Sequence, residues 1–299
     1  MFLWAPALLF AALLAAEDCR AVWERGREAY QAKQFTAAAR ELERALSVCP
    51  RQAPVLLDLA KAQLMAEELD ACRTTVRKLL AIDSRNVAAL KLQADAEYLA
   101  GDDRQAEQSL LVAIEIDPQN EDAIYSLGRV YYHENRFEQA IARFERVLQL
   151  NPKSYKAYDN LGLCYEALNK DEDAIRQYLK ALELVYKDHP DYDWPYANLA
   201  NLMINRGEYK KAFDLGVEAA RRNPSSARNF YLTAKALSYL DQLDLSVKWL
   251  NQSIGLDPNY PEPHYLLARV YRRKGLPDDA QRELNAFQEL AAKRPRVLR

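Results

Sequence analysis

Small and large apolar residues follow two superimposed periods along this chain. Within short windows the apolar side chains fall three and four positions apart, as on the buried face of a helix. Over longer stretches the pattern returns every 34 residues, from starts near Cys19, Ala53, Val87, Glu121, Tyr155, Asp193, Ala227 and Pro261. The eighth position counted from these starts is always Gly or Ala: Gly26, Ala60, Ala94, Gly128, Gly162, Ala200, Ala234 and Ala268. The twentieth is small throughout: Ala38, Cys72, Ala106, Ala140, Ala174, Ala212, Ser246 and Ala280. Two small sites twelve residues apart predict two helices in each copy, crossing closely where no bulky side chain separates them. Position 32 is proline at Pro50, Pro118, Pro152, Pro224 and Pro258, where the second helix should stop. A short insertion at 189–192 delays the start at Asp193.

This period and these residues resemble the tetratricopeptide (TPR) repeat. The fourth copy carries Ile124, Leu127, Gly128, Tyr131, Ala140, Phe144 and Pro152 at the signature positions, and the fifth carries Tyr158, Leu161, Gly162, Tyr165, Ala174, Tyr178 and Ala181. Arg25 replaces the signature Leu in the first copy, and Tyr186 stands at the Pro position of the fifth. The resemblance implies an all-α fold over residues 17–299, a right-handed superhelical solenoid of about eight antiparallel helical hairpins, each covered by the next. It also implies a concave groove lined by the first helix of each hairpin, at positions 2, 5, 6, 9, 12 and 13. On that template the partner-binding residues are Tyr125, Arg129, Tyr132, Asn160, Asn198, Asn201, Tyr231, Lys235, Tyr265 and Arg269. His133, Trp194, Asn205, Arg228, Tyr239, Arg272 and Arg273 share the face. Tyr and Arg concentrate binding energy and Asn pairs with peptide backbone, so the expected ligand is a protein or extended peptide, acidic at the C-terminal end of the groove. The Lys and Asn set with which some TPR domains clamp a C-terminal carboxylate is not assembled, because Tyr125 and Arg129 occupy two of its places.

The first residues follow no such period. From Phe2 to Ala16 only Trp4 carries a hydrogen-bonding side chain, and the run ends at Glu17 and Asp18. This stretch is short for a bilayer span, fits the apolar core of a secretory signal, and has Ala15 and Ala16 where a peptidase would cut. The expectation is a signal peptide at 1–16 and a periplasmic or secreted chain with no transmembrane segment once mature. Export changes the reading of the four cysteines. Cys19 and Cys49 occupy positions 1 and 31 of one hairpin, which returns both to the same end, so a disulfide is expected between them. Cys72 and Cys164 fall on small core positions and are expected to stay reduced.

Composition mainly excludes. A net charge of -2 and a pI near 6.1 are not the footprint of a duplex nucleic-acid binder, so no nucleic acid is expected. The three histidines, His133, His189 and His264, lie in different copies without a Ser or Cys set beside them, and no two Cys stand as C-x-x-C. No catalytic residue, metal or cofactor is therefore expected; Asp188, His189, Asp191 and Asp193 read as a solvated loop and a helix start. Asn251-Gln252-Ser253 is a glycosylation sequon within a predicted second helix. Lys293, Arg294, Arg296 and Arg299 suit a helix C-terminus. Leu284, Phe287 and Leu290 lie on the last helix with no repeat after it, an edge open to self-association. The function expected is an exported protein-binding scaffold or adaptor in an envelope or extracellular complex. The alternative is a non-catalytic accessory subunit of a glycan-processing or secretion system.

Overall fold

The computed structural model describes residues 18–49 and 52–293; the apolar run 2–16, Pro50, Arg294, Arg296 and Arg299 lie outside them. Helix accounts for 81% of the described residues, and none of them is in a strand. No helix among them is long and apolar enough to cross a membrane. The chain divides at Glu134 and Asn135 into two compact units. The first holds α1 (Cys19–Gln31), α2 (Phe35–Val48), α3 (Gln52–Met65), α4 (Leu69–Ile82), α5 (Val87–Leu99), α6 (Asp103–Ile116) and α7 (Glu121–His133). The second holds α8 (Phe137–Leu150), α9 (Tyr155–Ala167), α10 (Asp171–Asp188), α11 (Trp194–Asn205), α12 (Tyr209–Arg222), α13 (Ala227–Tyr239), α14 (Leu243–Leu256), α15 (Pro261–Arg273) and α16 (Pro277–Lys293).

Within each unit every helix packs on its sequence neighbour, and odd-numbered helices also touch the next odd one: α1 on α3, α3 on α5 and α5 on α7, then α9 on α11, α11 on α13 and α13 on α15. The first helices thus make one continuous face in each unit. Small residues at the eighth position are what allow each hairpin to close. A Cβ added at Gly162 would overlap the ring of Tyr178, which is fully buried on α10. In the sixth copy the large residue is missing, and Gly216 lets α12 approach α13 instead; a Cβ there would lie 2.6 Å from Thr233 Oγ1 and 3.2 Å from Thr233 Cα.

Two turns recur. The fifteenth position has positive φ in all eight copies, at Lys33, Glu67, Gly101, Asn135, Asn169, Gly207, Asp241 and Gly275, and ends the first helix of each pair. At the thirty-first position an Asx side chain accepts from the amide two residues on, as Asp83 from Arg85, Asp117 from Gln119, Asn151 from Lys153, Asn223 from Ser225 and Asp257 from Asn259, at 2.9–3.3 Å. Cys49 occupies this position in the first copy, and there a disulfide to Cys19, with Cα atoms 4.8 Å apart, joins the ends of the hairpin. Cys72 and Cys164 are free and buried, and burial pushes their thiols up to about 11 and about 12.

The insertion is organised rather than loose. α10 runs to 18 residues, and Arg222 of α12 reaches back to its end with a side chain only 1% exposed. Its guanidinium donates to the carbonyls of Val185, Tyr186, His189 and Pro190 at 3.2–3.4 Å and to Glu218 at 2.9 Å, and it lies 4.4 Å from the ring centre of Tyr196. Asp193 does not cap α11 with its side chain as a helix-starting Asp would. It is buried and accepts from Asn229 at 2.6 Å and Asn223 at 3.3 Å, tying the insertion to the next copy.

Candidate functional site

In the second unit the first-helix face runs over α9, α11, α13 and α15. Its floor across α9, α11 and α13 is a ladder of buried and half-buried polar groups. Asp159, the fifth residue of its copy, is 3% exposed and accepts from Asn198 Nδ2 at 2.9 Å and from the Tyr192 hydroxyl at 3.4 Å. Burial pushes the Asp159 carboxyl up to about 6, and the hydrogen bonds from Asn198 and Tyr192 oppose that only in part. Asn198 Oδ1 in turn accepts from Arg228 at 2.9 Å. A second rung joins Glu166 to Asn201 at 3.4 Å and to the Tyr178 hydroxyl at 3.0 Å, and burial raises the Glu166 carboxyl too.

The sequence-assigned residues divide accordingly. Asn198 was expected to meet a peptide backbone; it is 2% exposed with both ends of its amide engaged, because its place on α11 faces Asp159 of one copy and Arg228 of the next. Asn201 is half-buried on Glu166, and Asn160 is half-buried and donates to the Lys156 carbonyl at 2.8 Å. Tyr231 is half-buried with its ring edge-on to Tyr260, and burial lifts its hydroxyl to about 12. Lys235 is half-buried and Arg269 exposed, and the side chains of Lys235, Arg269 and Arg272 meet no hydrogen-bond or ion-pair partner among the described residues. Tyr265 is 46% exposed, with one side of its ring on Phe287 of α16. Leu284, Phe287 and Leu290 are half-buried.

Tyr125, Arg129 and Tyr132 belong to the first unit. Tyr125 and Tyr132 are half-buried, while Arg129 is exposed with its guanidinium 4.8 Å from the ring centre of Tyr98. Beside them His133 Nδ1 and Asp103 Oδ2 lie 2.6 Å apart. The same unit has a recess of about 570 Å³ walled by Lys61, Leu64, Met65, Lys91 and Asp95, which sequence reasoning did not single out. Also unassigned were Asp159, Glu166 and Tyr192. Their only signal in the sequence is a pair of acids, Asp159 and Glu166, on the first helix α9, and a Tyr inside the insertion.

Comparisons with known proteins bear on the whole array. Profiles of the tetratricopeptide repeat match residues 29–96, 125–192 and 227–260. An inactive TPR repeat-containing thioredoxin from Arabidopsis thaliana is 31% identical over 86 residues, a match covering 29% of this chain and 12% of that protein. Among solved structures, the APC/C hetero-tetramer Cut9-Hcn1 superposes with a TM-score of 0.69 at 16% identity, over 91% of this chain and 53% of that one. The chain therefore spans about half the length of that structure and a small part of the thioredoxin. A tetratricopeptide repeat protein from Parabacteroides merdae superposes at 0.67 with 16% identity, covering 84% of this chain and 98% of its own. PilF of Pseudomonas aeruginosa does so at 0.61 with 21% identity, covering 73% and 97%. At these identities the likeness is one of fold.

Proposed function

The chain belongs to the tetratricopeptide repeat family, and from that premise we propose that it is an exported, non-catalytic scaffold that holds a partner polypeptide against the first-helix face of residues 135–293. The fold itself is one typical of protein–protein interaction. The observation that carries the finer reading is the charge at the C-terminal end of that face. α13 and α15 bear Arg228, Lys235, Arg269, Arg272 and Arg273 against one acid, Glu262. Tyr231 and Lys235 stand one turn apart, and Tyr265 and Arg269 repeat that spacing one copy later. A recurring pair of aromatic and cation suits an extended acidic segment, each ring offering apolar area and each cation a charge-assisted hydrogen bond.

The apolar run 2–16 and the Cys19–Cys49 disulfide support an oxidising compartment, periplasmic or outside the cell. Export predicts that the chain recovered from its source begins near Glu17; a cytoplasmic chain retaining residues 2–16 would contradict it. Replacing Tyr265 and Arg269 together by Ala is expected to weaken capture of the co-purifying partner by ~1–3 kcal/mol with little loss of fold stability. Undiminished capture by that variant would remove the site.

A further inference from the structure

Two residues outside the assigned set stand on the same face with a support built beneath them. Trp194 opens α11 and is 52% exposed. Arg228, near the start of α13, is half-exposed and places its guanidinium carbon 5.6 Å from the centre of the Trp194 ring. One edge of that guanidinium is already held. Its Nη2 donates to Asn198 Oδ1 at 2.9 Å, and Asn198 is fixed by Asp159, which is fixed again by the Tyr192 hydroxyl. Asn198 and Asp159 are both at least nine-tenths buried, so the support cannot swing away with the solvent-facing group.

The chemistry of this arrangement is specific. A guanidinium has five N–H donors, and only one hydrogen bond to Arg228 exists among the described residues. Asp159 and Glu166 lie within electrostatic reach of Arg228 but make no ion pair with it, so no carboxylate occupies its N–H donors. The cation–π contact with the indole and the bond to Asn198 restrict rotamer freedom that a ligand would otherwise have to freeze. What remains free is a planar fork, the shape that takes both oxygens of a carboxylate, beside an exposed indole surface.

We infer that Trp194 and Arg228 form a subsite for an Asp or Glu side chain of an acidic partner segment, with Asn198 and Asp159 as positioning residues. This rests on the reading that the first-helix face of the second unit holds an acidic polypeptide, and adds to it an anchor of fixed geometry. Because the fork and the ring act together, Lys in place of Arg keeps the charge and loses the site.

A fluorescein-labelled oligoglutamate peptide, amidated at its C-terminus, provides the probe, titrated with the full chain and followed by anisotropy. Arg228→Lys and Trp194→Ala are each expected to weaken binding by about 10-fold, Trp194→Phe to recover most of the loss, and circular dichroism to be unchanged in all three. If Arg228→Lys and Trp194→Ala bind like the parent while the Tyr265 and Arg269 double variant does not, the subsite is wrong and the broader reading stands. If no variant differs from the parent, or the parent does not bind the peptide, both fail. Tight binding only of the peptide with a free C-terminal carboxylate would overturn the side-chain assignment.

Discussion

Asp159 lies in an environment that opposes its charge. Its carboxyl is buried, its hydrogen bonds come from neutral partners, and its pKa rises from 3.8 to about 6. A folded-state pKa above the unfolded value means that folding takes up a proton between them, so this group favours the fold at low pH and opposes it once ionised. The loss accumulates as pH rises from about 4 to about 6 and is complete above that. Asp159→Asn keeps an acceptor for Asn198 without the charge. Denaturant unfolding at pH 7 is expected to find this variant more stable than the parent by on the order of 2 kcal/mol, with the difference vanishing near pH 4. A parent that stays more stable than the variant at pH 7 would show that the carboxylate is stabilised where it lies. This ladder was not legible in the sequence. Asp159 and Asn198 are 39 residues apart across an insertion, and each alone looks like an ordinary polar residue on a solvated helix.

The helical pairs themselves were legible, because the small residues at positions 8 and 20 are steric necessities that few residue types can meet. Gly162 beneath Tyr178 and Gly216 beneath Thr233 show the constraint directly. The two recurrent turns were harder to read. Position 15 needs positive φ, yet its residues include Lys33 and Glu67 beside Gly, Asn and Asp, so no residue type betrays it. A left-handed conformation costs an ordinary side chain roughly 1–2 kcal/mol, and Gly gives back part of that through its larger unfolded-state entropy. Glu67 is exposed and has no side-chain hydrogen bond or ion pair among the described residues. Glu67→Gly is therefore expected to stabilise by about 0.5–1 kcal/mol in thermal unfolding, and destabilisation would refute this account of the turn. At position 31 the first copy exchanges the Asx turn for a disulfide. Opening that 30-residue link by Cys49→Ser is expected to cost about 3–4 kcal/mol, read as lost hydrogen-exchange protection confined to α1 and α2. Protection unchanged in both helices would contradict it. The Arg222 clamp on α10 was also hidden, since a basic residue at the end of α12 reads as surface until its four carbonyl acceptors are seen.

For the whole molecule, stability in a repeat array is close to a sum of hairpins and neighbour contacts, so the exposed side chains of the first helices are free of packing duty and available to a ligand. The second unit uses that freedom unevenly. Around Asp159 and Glu166 the face is satisfied internally, while Trp194, Arg228, Lys235, Tyr265 and Arg269 leave aromatic surface and cationic donors open. The central claim is that this open face holds the partner. It is tested most directly by placing a photo-reactive amino acid at Tyr265 and, in a separate chain, at Leu179, an exposed residue of the second helix α10. After irradiation in the native compartment, the account predicts a partner polypeptide crosslinked in high yield from position 265 and not from position 179. Crosslinking from position 179 alone, or equally from both, would contradict it.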